Sequence, residues 1–405
     1  MADEQLEANV PQEQQGAFRS FLKTVATFSG DLSNLTCPSF LLAPTSLLEY
    51  SSYWCDHPEL FAAITEPEDP LERMLACVKW FISSLNGSYS SRVSSAKNEY
   101  EKKPFNPVLG EVFYCSWADV EGCGETSLVC EQVSHHPPIS GFYLQNKSKG
   151  VYCSGYNGQQ SRFSATNINI DQVGHALVHL TNRNDESYLI TLPSLQIQGL
   201  WYGAPYVELL GNSIIQSSSG YHAYIEYTGR GWVSGEKHHF KATIQNNADY
   251  DASIGHKHAR GDTWVVEGQW VGVSNLTKPG SKTAEHFYDA AYAPPAERIV
   301  PPLEEQEPLE SRKLWHPVAS ALRAYDYETA SREKAKIENA QRAERKEREE
   351  KGEKWEPRYF TYIENDEEYA RLHGMDVKDK HPDLDDAVWV AKEFIQLRTG
   401  GDEID

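Results

Sequence analysis

Apolar residues recur along the chain with two spacings, and each predicts its own kind of element. Over residues 16–28, Phe18, Phe21, Leu22, Val25 and Phe28 fall at i, i+3, i+4, i+7 and i+10, one face of a helix. Ser20, Thr24, Thr27 and Ser29 form the opposite face, where only Arg19 and Lys23 carry charge. Such a helix packs on its own domain or exchanges its aromatic face between protein and a lipid surface. Residues 46–86 continue with helical spacing, through Leu47, Leu48, Tyr50 and Trp54 and then Leu71, Met74, Leu75, Val78, Phe81 and Ile82. From about residue 105 to 275 the period shortens to two, with aromatic and β-branched runs between Gly, Asn and Asp turns. Residues 112–117, 187–191, 221–227 and 263–273 are the clearest strands, the last with Trp264, Val266 and Trp270 on one face. So many strands without helical interludes predict a barrel or a strongly curved sheet.

Residues 294–310 are rich in Pro and Glu and read as a linker laid over the surface. A long helix dense in Glu, Lys and Arg is expected over 326–351. The tail, 355–405, carries Trp355, Tyr359, Phe360, Trp389 and Phe394, which predicts that it docks on the domain. Residues 1–14 are polar and are expected to be disordered.

The 405 residues are 40% hydrophobic and 11% aromatic, enough for a sizeable core. The 38 Lys+Arg against 59 Asp+Glu give a net charge of −21, a field that repels nucleic acid and anionic membranes alike. Membrane contact must therefore be local. No run approaches the roughly 20 apolar residues of a spanning helix. The N-terminal Met-Ala-Asp-Glu-Gln lacks a secretory layout. Seven cysteines without a C-x-x-C pattern read as reduced thiols in the cytosol rather than a zinc cluster.

No nucleophile elbow, P-loop, H-E-x-x-H or dinucleotide fingerprint is present, so no catalytic residue, metal site or cofactor is assigned. His175 and His179 lie in a strand region, where i,i+4 spacing makes no helical metal site; His238, His239, His256 and His258 fall in polar turns. Two other constellations carry more. In Lys102-Lys-Pro-Phe-Asn-Pro-Val-Leu-Gly-Glu111, Lys103 and Asn106 flank a proline that stiffens the backbone. Such a segment is an ordinary turn or a cation-plus-amide pair for an anion. In Glu131-Gln-Val-Ser-His-His-Pro-Pro138, two prolines break the strand beside two histidines, which allows both imidazoles to serve one phosphate. On the charged helix, Lys334, Glu338 and Arg342 form one stripe: either intrahelical ion pairs, or two cations facing an anion with Glu338 holding their heads.

The run EQVSHHPP at 131–138 resembles the signature of the oxysterol-binding protein family. KKPFNPVLGE (102–111), YTGRG (227–231), GQW (268–270) and PLEEQEPLESRKLW (302–315) resemble family segments in the same order, over about residues 17–360. The similarity is to short members that consist of the lipid domain alone. It implies an α+β fold: an incomplete antiparallel β-barrel around a lipid tunnel, with an N-terminal lid helix and a C-terminal helical subdomain. The expected division is a disordered start and amphipathic lid over 1–37, a helical segment over 38–104, the barrel over 105–276 and the C-terminal subdomain over 277–405. By that resemblance Lys103, Asn106, His135, His136, Lys334 and Arg342 hold the phosphates of phosphatidylinositol 4-phosphate, with Glu338 in support. Phe18, Trp54, Ser88, Tyr89, Asn157 and Gln172 line the sterol or acyl tunnel. Ser88 stands where sterol-binding short members carry Gln, a longer partner for the sterol hydroxyl.

The implied activity is exchange of phosphatidylinositol 4-phosphate and a sterol between membranes without covalent chemistry. The alternative is a phosphoinositide carrier or lipid sensor whose second ligand is not sterol. Expected partners are those two lipids and, through residues 16–28, a transient membrane surface, with no nucleic acid and no second subunit. The expected location is cytoplasmic, peripheral on Golgi and endoplasmic reticulum membranes. Glu285-His-Phe-Tyr-Asp-Ala290 faintly resembles a motif for docking on the endoplasmic reticulum, although the family carries a similar segment as part of its structure.

Overall fold

The computed structural model describes residues 15–28, 37–90, 102–135, 137–164, 167–199, 206–229, 236–250, 263–375 and 388–399. The expectations for residues 1–14 and for His136, His256 and His258 lie outside the described residues. The amphipathic segment is helix α1, Gln15–Thr27. Its predicted apolar face is the covered one: Leu22 and Val25 are buried, whereas Arg19 and Lys23 are exposed. Strand β1, Leu42–Ser46, follows, and then residues Leu47–Cys55 wind as a 3-10 helix started by the Ser46 side chain, which accepts from Leu48 N. Helices α2, Pro58–Ala63, and α3, Pro70–Ser90, complete the helical part. Pro70 opens α3, and Asp69 Oδ1 accepts from the amides of Leu71 and Glu72 at 2.8 and 3.2 Å.

Strand β2, Lys103–Phe105, pairs in parallel with β1. The main sheet then runs through β3 (Val112–Trp117), β4 (Thr126–His135), β5 (Pro138–Asn146) and the long β6 (Val151–Ser164). It continues with β7 (Asn167–Val173), β8 (His175–Leu180), β9 (Glu186–Thr191), β10 (Ser194–Gln198) and β11 (Tyr206–Leu210). Strands β12 (Asn212–Ser217), β13 (Tyr221–Thr228), β14 (His239–Asn246), β15 (Trp264–Gln269), β16 (Val273–Thr277) and β17 (Ala284–Asp289) finish it. All pairings within these 15 strands are antiparallel, and the sheet does not close on itself. Its long strand β6 has β5 on one edge and β7 with β8 on the other, in one continuous register. Gly174 separates β7 from β8 at φ 116°, and a Cβ there would lie 2.1 Å from the Tyr156 carbonyl oxygen. Only glycine fits that crossing. Beyond it the sheet forks, β7 leading to β10 and β11 and β8 leading to β9, β12 and the rest.

Residues 263–273 form two strands, not the expected one. Gly268 takes φ 153°, and Gly272 N donates to Gln269 O at 3.0 Å, so the chain turns at Trp270. The Pro- and Glu-rich segment does more than cover the surface. Ser116 and Ile299 exchange backbone hydrogen bonds of 2.9 and 2.8 Å, and Val112 N donates to Leu309 O at 3.0 Å, so this strap protects the outer edge of β3.

One face of the sheet packs on α3 in a cluster that includes Trp80, Phe81, Phe142, Tyr188, Ile225 and Phe240. Arg73 of α3 donates to Glu186 of β9 at 2.9 Å, a buried pair that fixes the helix against that face. The chain then forms α4 (Ser311–Leu314), α5 (His316–Arg323) and α6 (Tyr327–Lys351), followed by the two-stranded pair β18 (Phe360–Ile363) and β19 (Val388–Ala391). Helices α7 (Glu367–Met375) and α8 (Lys392–Thr399) accompany that pair. Phe360, Tyr369, Leu372, Val390 and Phe394 pack on Tyr143, Tyr152, Tyr156 and Leu177, the opposite face of the sheet. Both faces are therefore covered at β8 and β9, whose residues are all buried, and strict alternation is lost there. The C-terminal part thus adds a two-stranded pair to its helices. All seven cysteines are free.

Candidate functional site

Four segments distant in sequence are drawn to one end of the fold. Phe105 of β2 stacks on Trp315 with ring centroids 4.6 Å apart, within a cluster that also holds Val108, Val318 and Ala330 and against which Ile337 packs. Phe18 of α1 meets Phe40 at 6.2 Å, and Phe40 meets Tyr327 of α6 at 6.4 Å. These contacts bring α6 beside β2. Burial pushes the Cys37 thiol up to about 11, while Lys103 from β2 and Lys334 from α6 both pull it back, so the two cations share its neighbourhood. Lys334 is only 14% exposed in its side chain and is paired with Glu338, which turns a mobile cation into a held one. Arg342 instead donates to Asn339 Oδ1 at 2.6 Å, and among the described residues no ion pair joins it to Glu338.

The loop that carries Asn106 is tied to the strand that carries His135. Gly110 N donates to Gln132 O at 3.0 Å, and Gln132 N donates to Glu111 O at 2.9 Å. Asn106 and His135 are both exposed, and His135 closes β4 opposite Pro138. The Pro107–Gly110 turn is held from below by Glu111, a fully buried carboxyl. It accepts from Ser46 Oγ (2.5 Å), Ser311 Oγ (2.7 Å), Trp315 Nε1 (2.9 Å) and Val108 N (3.0 Å). Burial raises its pKa and those four donors oppose the rise.

The residues expected at the apolar end are not all brought together: Phe18 lies against Phe40 on the α6 side, Trp54 packs against the main core, and Tyr89, Asn157 and Gln172 are linked to one another. Trp54 stacks on Phe142 at 5.3 Å and contacts Trp80 and Phe81 at 5.5 and 5.8 Å. Gln172 Nε2 donates to Tyr89 OH at 2.9 Å and to Pro193 O at 2.6 Å, while Asn157 Nδ2 donates to Gln172 Oε1 at 2.8 Å. Tyr89, Gln172 and Asn157 are thus one network. Ser88 sits half-buried beside Tyr89 in the last turn of α3, and Phe18 is half-buried on α1.

A family model described as oxysterol-binding protein matches residues 19–321 and 317–381. The chain belongs to the oxysterol-binding protein family. It is 44% identical to Protein KES1 of Mycosarcoma maydis over 382 residues, 93% of this chain and 95% of that one. It is 46% identical to Protein kes1 of Schizosaccharomyces pombe over 351 residues, 86% of this chain and 87% of that one. Among solved structures, the Osh1 ORD domain in complex with ergosterol superposes with a TM-score of 0.68 at 22% identity, covering 94% of this chain and 89% of that one. The Osh3 ORD in complex with PI(4)P from Saccharomyces cerevisiae gives 0.62 at 24% identity, covering 85% and 86%. Both share the α+β fold with an open antiparallel sheet.

Within this family member, sequence reasoning passed over two carboxylates that build the site without facing it. Glu111 closes KKPFNPVLGE and Glu131 opens EQVSHHPP; each is buried where a charge has no reason to be unless donors surround it. A carboxylate ending a Pro-stiffened apolar run was the available signal. The Phe287-Tyr288 pair of the supposed docking motif is buried in β17, part of the sheet.

Proposed function

We propose that this family member carries phosphatidylinositol 4-phosphate and a sterol, one at a time, between membranes. Lys103, Asn106, His135, His136, Lys334 and Arg342 hold the headgroup phosphates, with Glu338 positioning Lys334. The observation that carries this reading is the shared neighbourhood of Lys103 and Lys334, with the Asn106 loop bonded to the His135 strand. A phosphomonoester carries more than one negative charge near neutral pH and needs several donors at once. Cations from separate segments, set in a chain of net charge −21, are what such a group selects. The bound forms of the similar Osh1 and Osh3 domains support the pairing of ligands. Helix α1 covers the lipid in transit and offers its Phe18 face to the bilayer on arrival. The protein works as a monomer, at the cytoplasmic surface of Golgi and endoplasmic reticulum membranes.

The test is transfer between two liposome populations, one loaded with phosphatidylinositol 4-phosphate and the other with sterol. A carrier accelerates the arrival of each lipid in the opposite population. Extraction without faster arrival would make the protein a sensor and end the transfer reading.

A second reading, in which the second ligand is not sterol, is favoured by Ser88. Tyr89, Gln172 and Asn157 already satisfy one another, and Ser88 is too short to reach a hydroxyl that Gln would meet. Sterol affinity of the protein and of Ser88→Gln decides between them. A large gain in the variant supports the second reading, and equal tight binding removes it.

A further inference from the structure

A cavity of about 620 Å³ opens between the Leu47–Cys55 helix, the last turns of α3, the end of β17 and the strap, and it shares no residue with the candidate lipid site. Asp56 is part of its lining. The residue is 7% exposed, and its carboxyl rests against Gly87, where a Cβ would lie 2.2 Å from Asp56 Oδ2. Among the described residues no donor hydrogen-bonds it. Burial pushes it up to about 6, against the opposing pull of Arg298 and then His57, so a cation bound beside it would be needed to hold its charge fully. Arg298 lines the same cavity, donating Nη1 to Ser52 Oγ with its guanidinium 5.0 Å from the Tyr53 ring centroid. Its charge reaches Asp56, yet no contact within 4.0 Å joins the two. His57 is engaged elsewhere, with Tyr288 OH at 3.0 Å and Glu59 Oε1 at 3.2 Å, so it does not fill the gap.

The cavity thus holds a separated pair of opposite charges. Arg312, held by Glu49 at 3.0 Å, and Glu297 also line it, so two guanidiniums face two carboxylates. A net-neutral lining selects against polyanions and against simple cations. We propose that this cavity binds a compact ammonium–phosphate zwitterion, its ammonium on Asp56 and its phosphate on Arg298, with Arg312 within the same wall. A planar guanidinium offers paired donors to phosphate oxygens, and an unpartnered buried carboxylate is a receptor for an N–H cation. The ligand is either a free phosphoethanolamine-type metabolite or the phosphodiester headgroup of a lipid.

Calorimetric titration of the full chain tests this, with O-phosphoethanolamine as the soluble probe and glycerophosphoethanolamine as the headgroup probe. At least one binds, and tighter binding of the monoester or the diester names the source. Ethanolamine and inorganic phosphate, each half of the zwitterion, bind at least tenfold more weakly. Asp56→Asn and Arg298→Gln each weaken binding at least tenfold, while phosphatidylinositol 4-phosphate extraction stays unchanged. Asp56→Asn keeps or raises Tm, because a neutral amide is easier to bury than a carboxylate. Absence of heat with both probes, or equal binding by both variants and the parent protein, would overturn the proposal.

Discussion

Glu131 accepts a 2.8 Å hydrogen bond from the backbone amide of Tyr359, and its other oxygen accepts one of 2.7 Å from Arg358 N. The first residue of the EQVSHHPP run therefore anchors the C-terminal part of the chain to β4, where His135 also sits. Burial raises the Glu131 pKa against those two amides. Glu131→Ala leaves both amides unsatisfied and should cost about 2–4 kcal/mol. Urea denaturation measures that loss, and limited proteolysis should show the tail from residue 355 released first.

Glu111 plays the same part beneath the Asn106 loop, with four donors on one carboxyl. Glu111→Gln turns one acceptor oxygen into a donor that faces other donors, and on the order of 2 kcal/mol of stability should be lost. Phosphoinositide affinity should fall with it, since the loop that presents Asn106 loses its floor. A Glu111→Gln protein that binds the lipid normally would separate the loop from the site.

Acid should loosen the same C-terminal contact. His175 is 2% exposed, stacked on Tyr369 with centroids 4.4 Å apart. Burial lowers its pKa to about 3, with Asp366 raising and His373 lowering it. A folded-state value below the unfolded one near 6.5 means that the unfolded chain takes the proton first. Stability from this group is complete above about pH 6.5 and is lost progressively as the pH falls from there toward 3. His175→Phe keeps the stack and should flatten the pH dependence of Tm in that window, read by thermal melts at pH 7, 6, 5 and 4.

Gln172 bridges Tyr89, Asn157 and the Pro193 carbonyl, so Gln172→Leu removes three hydrogen bonds and should cost about 1–3 kcal/mol of stability. Sterol binding should weaken, and phosphatidylinositol 4-phosphate extraction should not. Fluorescent sterol titration and liposome extraction on the same variant check both halves.

Much of this architecture was written in the spacing of apolar residues. The strand at 112–117 coincides with β3, and the amphipathic face at 18–28 is the covered side of α1. Period two failed where its physical basis failed. Strands β8 and β9 are buried on both faces by a tail far along the sequence, and the 263–273 run hides a turn because Trp270 keeps the alternation through it. The signal there was Gly268 and Gly272. The candidate headgroup residues were proposed only through family resemblance, since nothing local says that Lys103 and Lys334 share one neighbourhood. The Lys334–Glu338 pair follows from helical spacing, whereas the partner of Arg342 is Asn339. Glu111 had only the signal of a carboxylate ending a Pro-stiffened run, and Glu131 and Asp56 had none, because their burial depends on donors and cavities assembled from elsewhere.

Liposomes that contain phosphatidylinositol 4-phosphate, incubated with the protein or with its His135→Ala/His136→Ala variant, test the headgroup assignment most directly. The amount of phosphoinositide recovered in soluble complex is the readout, with sterol pickup measured in parallel. The account predicts that the double variant loses phosphoinositide extraction and retains sterol pickup. Undiminished phosphoinositide extraction by that variant would contradict it.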